Sequence, residues 1–208
     1  MAADLRYAKV MLLTAELLLH YQRCDRRAFL DVQGDSSQLE ASSDFHLKLI
    51  ADRIAHQQTV LERYPYQQPD YPKRDWQAGF QATLALMQQG VDFIHKGVLI
   101  AEIGQGSREN LIPNLQSTTL LSRPDLLIKQ PGESIFGDWL YVPANIELGK
   151  RAKLEYQIVA AFHAQMLEIT QQKMPPNAWL ILREKGLFPV KLDIRIPQMQ
   201  ILLEKCQQ

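Results

Sequence analysis

With 208 residues, 46% of them apolar and 22% charged, the chain is long enough for one sizeable core and too apolar for a disordered or fibrous protein. Its 23 basic residues balance 23 acidic ones, so the whole molecule has no net attraction for nucleic acid or anionic lipid, and any basic surface must be local. Its two cysteines, Cys24 and Cys206, lie far apart without a CxxC partner, which excludes a disulfide scaffold and a zinc site built from this chain's thiols and makes the cytoplasm the expected compartment.

The early apolar stretch 10–20 is broken by Thr14 and Glu16, so it reads as neither a signal peptide nor a membrane span. Thr14 has the chemistry of an N-cap, and Leu17, Leu18 and Tyr21 follow at helical spacing. RRAFLDV reads as extended, and GDSSQLEASSD as a surface loop. A second helix is expected from Ser43 to about Arg63, with Phe45, Leu49, Ile50, Ile54, Val60 and Leu61 as its stripe. The prolines of YPYQQPDYP end it. Asp75 then caps a helix from Trp76 to about Gln89, and Gly90 suits a left-handed C-terminal position.

The period changes at GVLIAEI, STTLLSRPDLLIKQ and WLYVPANIEL, three β-rich runs separated by GQGSREN and by the Pro-Gly of QPGES, which predict three adjacent strands. A long helix follows over KLEYQIVAAFHAQMLEIT, closed by Pro175-Pro176. AWLILRE and LFPVKLDI flank Lys185-Gly186 as a hairpin, and Pro197 opens a last short helix. The expected fold class is mixed α/β, with central strands covered by helices.

Asp125, reached through Ser122-Arg123-Pro124, and Glu147 on the next predicted strand form a pair of carboxylates with Lys150 just beyond. Oxygen ligands for Mg²⁺ or Mn²⁺ beside a cation are what metal-assisted phosphodiester hydrolysis needs. The same residues also read as ordinary polar strand positions followed by a solvated helix start. Lys150, Arg151 and Lys153 form a basic stretch at a helix N-terminus, where phosphate is favoured. His20, His46 and His95 lack metal-ligand spacing, Gly104-Gln105-Gly106 reads as a hairpin turn, and Trp76, Trp139 and Trp179 read as core residues.

Taken in order, these features resemble the RecB-type branch of the PD-(D/E)XK nuclease superfamily, which includes the CRISPR-associated RecB-like exonucleases. The likeness runs from about Leu12 to Cys206. ELLLHYQRCDRRAFLDVQGD is similar to that family's opening helix and Cys-x-Arg-Arg stretch. ADRIAHQQTVL resembles its Gly-x-x-x-His-Glu helix, SRPDLL its Gly-x-x-Asp, and YVPANIELGKRAKLEYQ the strand carrying Asp/Glu-x-Lys. The resemblance implies one domain over 1–208, or a shortened form of a longer protein, with a restriction-endonuclease-like core whose mixed sheet is flanked by helices. It also implies hydrolysis of DNA with Mg or Mn held by His56, Asp125 and Glu147. Lys150 would support the transition state beside Glu147, and Arg123, Lys150, Arg151 and Lys153 would contact the nucleic acid.

The departures weaken that expectation. Gln57 stands where the family has Glu and Ser122 where it has Gly. In the simplest register Asn145 and Glu147 take the places of the second acid and the catalytic lysine. That exchange removes a negative ligand and puts negative charge where positive charge should face the scissile phosphate, so activity is expected to be weak or lost. A shifted register, in which Glu147 is the ligand and Lys150 the lysine, requires the chain to bulge or end at Gly149. The closing Gln-x-x-x-Tyr motif is blurred into Val159 and His163. Cys24 lacks the companion cysteines of an iron–sulfur cluster, so none is expected. The alternative expectation is a catalytically inactive nuclease-like fold that serves as a nucleic-acid-binding or protein-interaction module.

Overall fold

The computed structural model describes residues 11–35, 37, 43–103, 118–184 and 186–207. Most of the predicted loop 34–44 and the whole of GQGSREN fall outside them, as does Lys185.

Local side-chain chemistry sets the first elements. After a short strand β1 (Met11–Thr14), the Thr14 side chain accepts a hydrogen bond from the Leu17 N–H at 3.0 Å and starts α1 (Ala15–Arg23), which buries Leu17 and Leu18. RRAFLDV is not extended but belongs to a helix, α2 (Asp25–Gln33). The Asp25 carboxylate accepts from the Arg26 N–H at 2.6 Å at the start of the helix, and His20 of α1 contacts Asp31 at 2.6 Å, so polar contacts outweigh the β-like composition. Ser43 caps α3 (Asp44–Leu61), accepting from the His46 N–H at 3.3 Å. The apolar stripe of this helix is only half used: Val60 and Leu61 are buried, whereas Phe45, Leu49, Ile50 and Ile54 face solvent. Asp75 caps α4 (Trp76–Gln88), accepting from the Ala78 N–H at 3.0 Å, and Gly90 takes φ 68° just beyond.

The strands divide between two sheets. β3 (Leu99–Ile103) pairs antiparallel with β4 (Thr118–Ser122), which also carries β1 in parallel, giving the order β1-β4-β3. The second sheet has the order β2-β5-β6-β7-β8, with β2 (Phe93–His95), β5 (Leu126–Ser134), β6 (Gly137–Glu147), β7 (Ala178–Leu182) and β8 (Gly186–Val190). The predicted run STTLLSRPDLLIKQ is therefore two strands. Arg123-Pro124-Asp125 separates them, and Pro124 has no N–H to continue a ladder. The Pro-Gly of QPGES lies within β5, at an irregularity between Pro131 and Ser134 where Gly132 takes φ 151°, and the β5–β6 turn comes just after it. The β7–β8 hairpin forms as expected, with Gly186 at φ 67°.

Helix α5 (Leu154–Gln171) is the centre of the core. Phe162, Met166 and Leu167 are fully buried and share one apolar cluster with Leu99 and Leu120 of the first sheet and Tyr141 and Leu180 of the second. The last helix, α6 (Leu192–Cys206), begins five residues before Pro197 and packs Met199 and Leu203 into the same cluster. Burial of this face outweighs the main-chain hydrogen bond that Pro197 cannot make. On the far side of the second sheet a smaller cluster joins Val60 and Leu61 of α3 to Leu126, Ala144 and Ile146. The fold is thus a mixed α/β arrangement, and no helix among the described residues is long and apolar enough to cross a membrane.

Truncating Phe162 to Ala should remove about 3–5 kcal/mol of stability. Urea unfolding followed by circular dichroism measures this, and a loss under 1 kcal/mol would contradict the central place given to α5.

Candidate functional site around Asp125

Asp125 sits at the end of β5, on the segment that carries the chain from one sheet to the other, and only 3% of its surface is exposed. Three elements meet its carboxylate. Oδ2 accepts the Ile146 N–H of β6 at 2.7 Å, and Oδ1 accepts Gln57 Nε2 of α3 at 3.0 Å. Oδ1 is also ion-paired with the Lys96 ammonium, from the turn between β2 and β3. The main chain joins in, because His95 Nδ1 and the Lys96 N–H both donate to the Asp125 carbonyl, at 2.9 and 3.2 Å. Lys96 takes φ 53°, a left-handed conformation that a residue with a Cβ rarely adopts; the hydrogen bond and ion pair on either side of its Cα hold it there.

The β6 neighbours complete the centre. Ala144 and Ile146 face α3, so alternation along the strand places Asn145 and Glu147 on the α5 side with Tyr141. Among the described residues, Asn145 Oδ1 is buried without a hydrogen-bond partner, as is His56 Nε2 on α3. Glu147 ends β6, and burial pushes its carboxyl up to about 7; Arg53 of α3 opposes this shift and Asp125 adds to it. Below Asp125, Ser122 Oγ and His163 Nδ1 of α5 are hydrogen-bonded at 2.6 Å. Burial lowers the His163 imidazole to about 3, so it is neutral at ordinary pH.

The residues expected from sequence are distributed unevenly around this centre. Asp125 and Glu147 lie near enough for their charges to interact, and α3 reaches Asp125 through Gln57, the residue after His56. Strand β6 ends before Gly149, but the Lys150 ammonium points to Glu184 on the β7–β8 turn, 2.5 Å away, and is largely exposed. Arg123 is exposed with its guanidinium 5.1 Å above the Trp76 ring. Arg151 is exposed, and Lys153 lies 5.7 Å from the Tyr156 ring centroid.

Lys96 has no counterpart in the motif reading, and Ser122 and His163, each named there as a departure from a motif, were not expected to meet. Lys96 directly follows the three-residue strand β2 and precedes Gly97, and no local sequence pattern marks it. Comparison of the sequence with protein-family models and with curated proteins finds no match.

A hard divalent ion needs several oxygen ligands at about 2.0–2.6 Å. The donors around Asp125 do not fit such an ion as they stand. One Asp125 oxygen is taken by an ammonium and an amide, the other by a main-chain N–H, Asn145 brings no charge, and Glu147 is half protonated near neutrality. What the arrangement offers without a metal is a Lys96–Asp125 pair that is neutral as a unit, with Arg53 and Arg123 nearby.

The raised Glu147 carboxyl has a definite pH signature. From its ordinary 4.5 to about 7 the unfolded chain is ionised while the folded chain keeps the proton, so this stabilising contribution is full below 4.5 and is lost as pH rises to about 7. The loss amounts to about 3 kcal/mol at 1.36 kcal/mol per pKa unit. Glu147→Gln should therefore gain stability relative to the parent between pH 4.5 and 7, by up to about that amount. Denaturant midpoints across this range measure it, and a stability difference that does not change with pH would contradict the buried placement.

Proposed function

We propose that this chain is a nuclease-like domain that binds nucleic acid without appreciable hydrolysis of it. The observation that carries the reading is the Lys96 ammonium on the Asp125 carboxylate. If the restriction-endonuclease-like likeness holds, Asp125 is the acid that would otherwise hold a divalent ion, and here its charge is already balanced by a covalently tethered cation. The fold places the ammonium at contact distance at all times, whereas a divalent ion from solution would have to give up strongly held water and displace it.

The other supports are chemical. Burial pushes the Glu147 carboxyl up to about 7, so near neutrality it brings only about half of a carboxylate's charge to a second ligand position. The Lys150 ammonium is committed to Glu184 rather than to the carboxylates. Arg23 is paired with Glu155 at 3.0 Å, but Arg53 bears on the Glu147 carboxyl and Arg123 lies two residues from Asp125, which puts positive charge near the strand ends where a phosphate backbone would approach.

The test measures binding and cleavage together on fluorescently labelled DNA with and without Mn²⁺. The expected outcome is salt-sensitive binding, with affinity falling as ionic strength rises, and no cleavage above a chelator control. Manganese-dependent cleavage that disappears in Asp125→Asn would overturn the reading in favour of an active nuclease.

A further inference from the structure

We propose that a strip of aromatic and cationic side chains beside Asp125, running from Tyr66 through His95, Lys96 and Arg123 to Trp76 and Tyr71, is a seat for unpaired nucleotides of a single strand. This rests on the nucleic-acid-binding reading above and gives it a substrate class and a surface, distinct from the basic stretch 150–153.

The strip is continuous in space although its residues come from three parts of the chain. The Tyr66 ring is 4.9 Å from the His95 imidazole. His95 is next to Lys96, and both Lys96 and Arg123 bear electrostatically on the His95 ring. Arg123 lies over Trp76, and Trp76 is 6.4 Å from Tyr71. Tyr66 is 41% exposed and Arg123 is exposed, while His95, Lys96, Tyr71 and Trp76 are half-buried, so every ring of the strip keeps some surface in solvent.

The physical case for a single strand has three steps. Bases in a duplex hide their faces against each other, so a row of open rings can be used only by bases that are already unstacked. A guanidinium resting on an indole is itself a flat cationic platform, suited to a base above and a phosphate at its edge. Lys73 and Arg74 extend the positive charge along the connector between α3 and α4, where Asp70 is exposed and the Asp75 carboxylate is used in capping α4. Burial lowers the His95 imidazole below its ordinary range, so at neutral pH it contributes a neutral ring rather than a charge. The rings are also held in place. Among the described residues, non-glycine positive φ occurs at three positions, and two of them, Arg74 and Lys96, border this strip.

The experiment uses the full chain and anisotropy of a labelled oligothymidylate of about 20 residues, longer than the strip requires, against a duplex of the same length. Single-strand affinity should exceed duplex affinity by at least about tenfold. Tyr66→Ala and Arg123→Ala should each weaken it about 5- to 100-fold, the range expected for removal of one stacking partner. Trp76→Phe, which keeps a ring at the start of α4, should weaken it less, and Lys173→Ala should leave it unchanged. Circular dichroism melts identify any variant that fails to fold, and Tyr66→Ala, on an exposed ring, keeps the test valid if the Trp76 variant is lost. Single-strand binding that Tyr66→Ala and Arg123→Ala change by less than twofold would overturn the strip and leave the nucleic-acid reading standing. Duplex bound as tightly as single strand would also overturn it. No binding of either DNA would overturn the strip together with the reading it rests on.

Discussion

The Asp125 carboxylate is the interaction on which the arrangement of the strand ends depends. It is almost fully buried, and a buried carboxylate is tolerated only when charge and hydrogen bonds answer it. Here the answer comes from α3 through Gln57, from the β2–β3 turn through Lys96 and from β6 through the Ile146 N–H. These three elements are far apart in sequence, so the carboxylate works as a clasp. It fixes where α3 ends over the second sheet and how the turn after β2 is directed. It also holds the chain where it leaves the first sheet for the second.

The clasp also defines the chemistry of the site. An ammonium bound to the chain neutralises Asp125 without a metal, while Glu147, nearby but without an ion pair among the described residues, is pushed up to about 7 chiefly by burial, with the Asp125 charge adding to the shift. Two carboxyl groups close together in a poorly solvated place are thus kept apart in charge by different means, one by a cation and the other by protonation. The neutral His163 below them, hydrogen-bonded to Ser122, adds no charge to the balance. A centre built this way is balanced in charge from within.

Much of the fold was legible where one side chain decides one backbone group. Thr14, Ser43 and Asp75 each cap the helix expected of them, and Gly90 and Gly186 take the left-handed conformations their positions suggest. The misreadings share a different cause. RRAFLDV is helical because of polar contacts across α1 and α2, and β2, for which no local pattern was legible, is a strand through its pairing with β5 on one side and Gln67 on the other. Pro197 sits inside a helix because the buried face of α6 begins before it. In the candidate site, Asp125 stood out from its place after Pro124, Glu147 as the acid of the following strand, and Asn145 through the family resemblance alone. Lys96 did not, since it lies 29 residues from its partner and no local pattern records that pairing. Nor could spacing show that Lys150 turns toward Glu184, because that direction is set by the hairpin opposite.

The measurement that tests the clasp most directly is a double-mutant cycle on stability with Lys96→Met, Asp125→Asn and the combined variant. If the ammonium and the carboxylate hold each other, the two losses are non-additive, with a coupling of about 1–3 kcal/mol that survives at moderate salt because the pair is shielded from solvent. Losses that add to within about 0.5 kcal/mol would mean that the two groups act independently, and the account of a self-neutralised centre would be wrong.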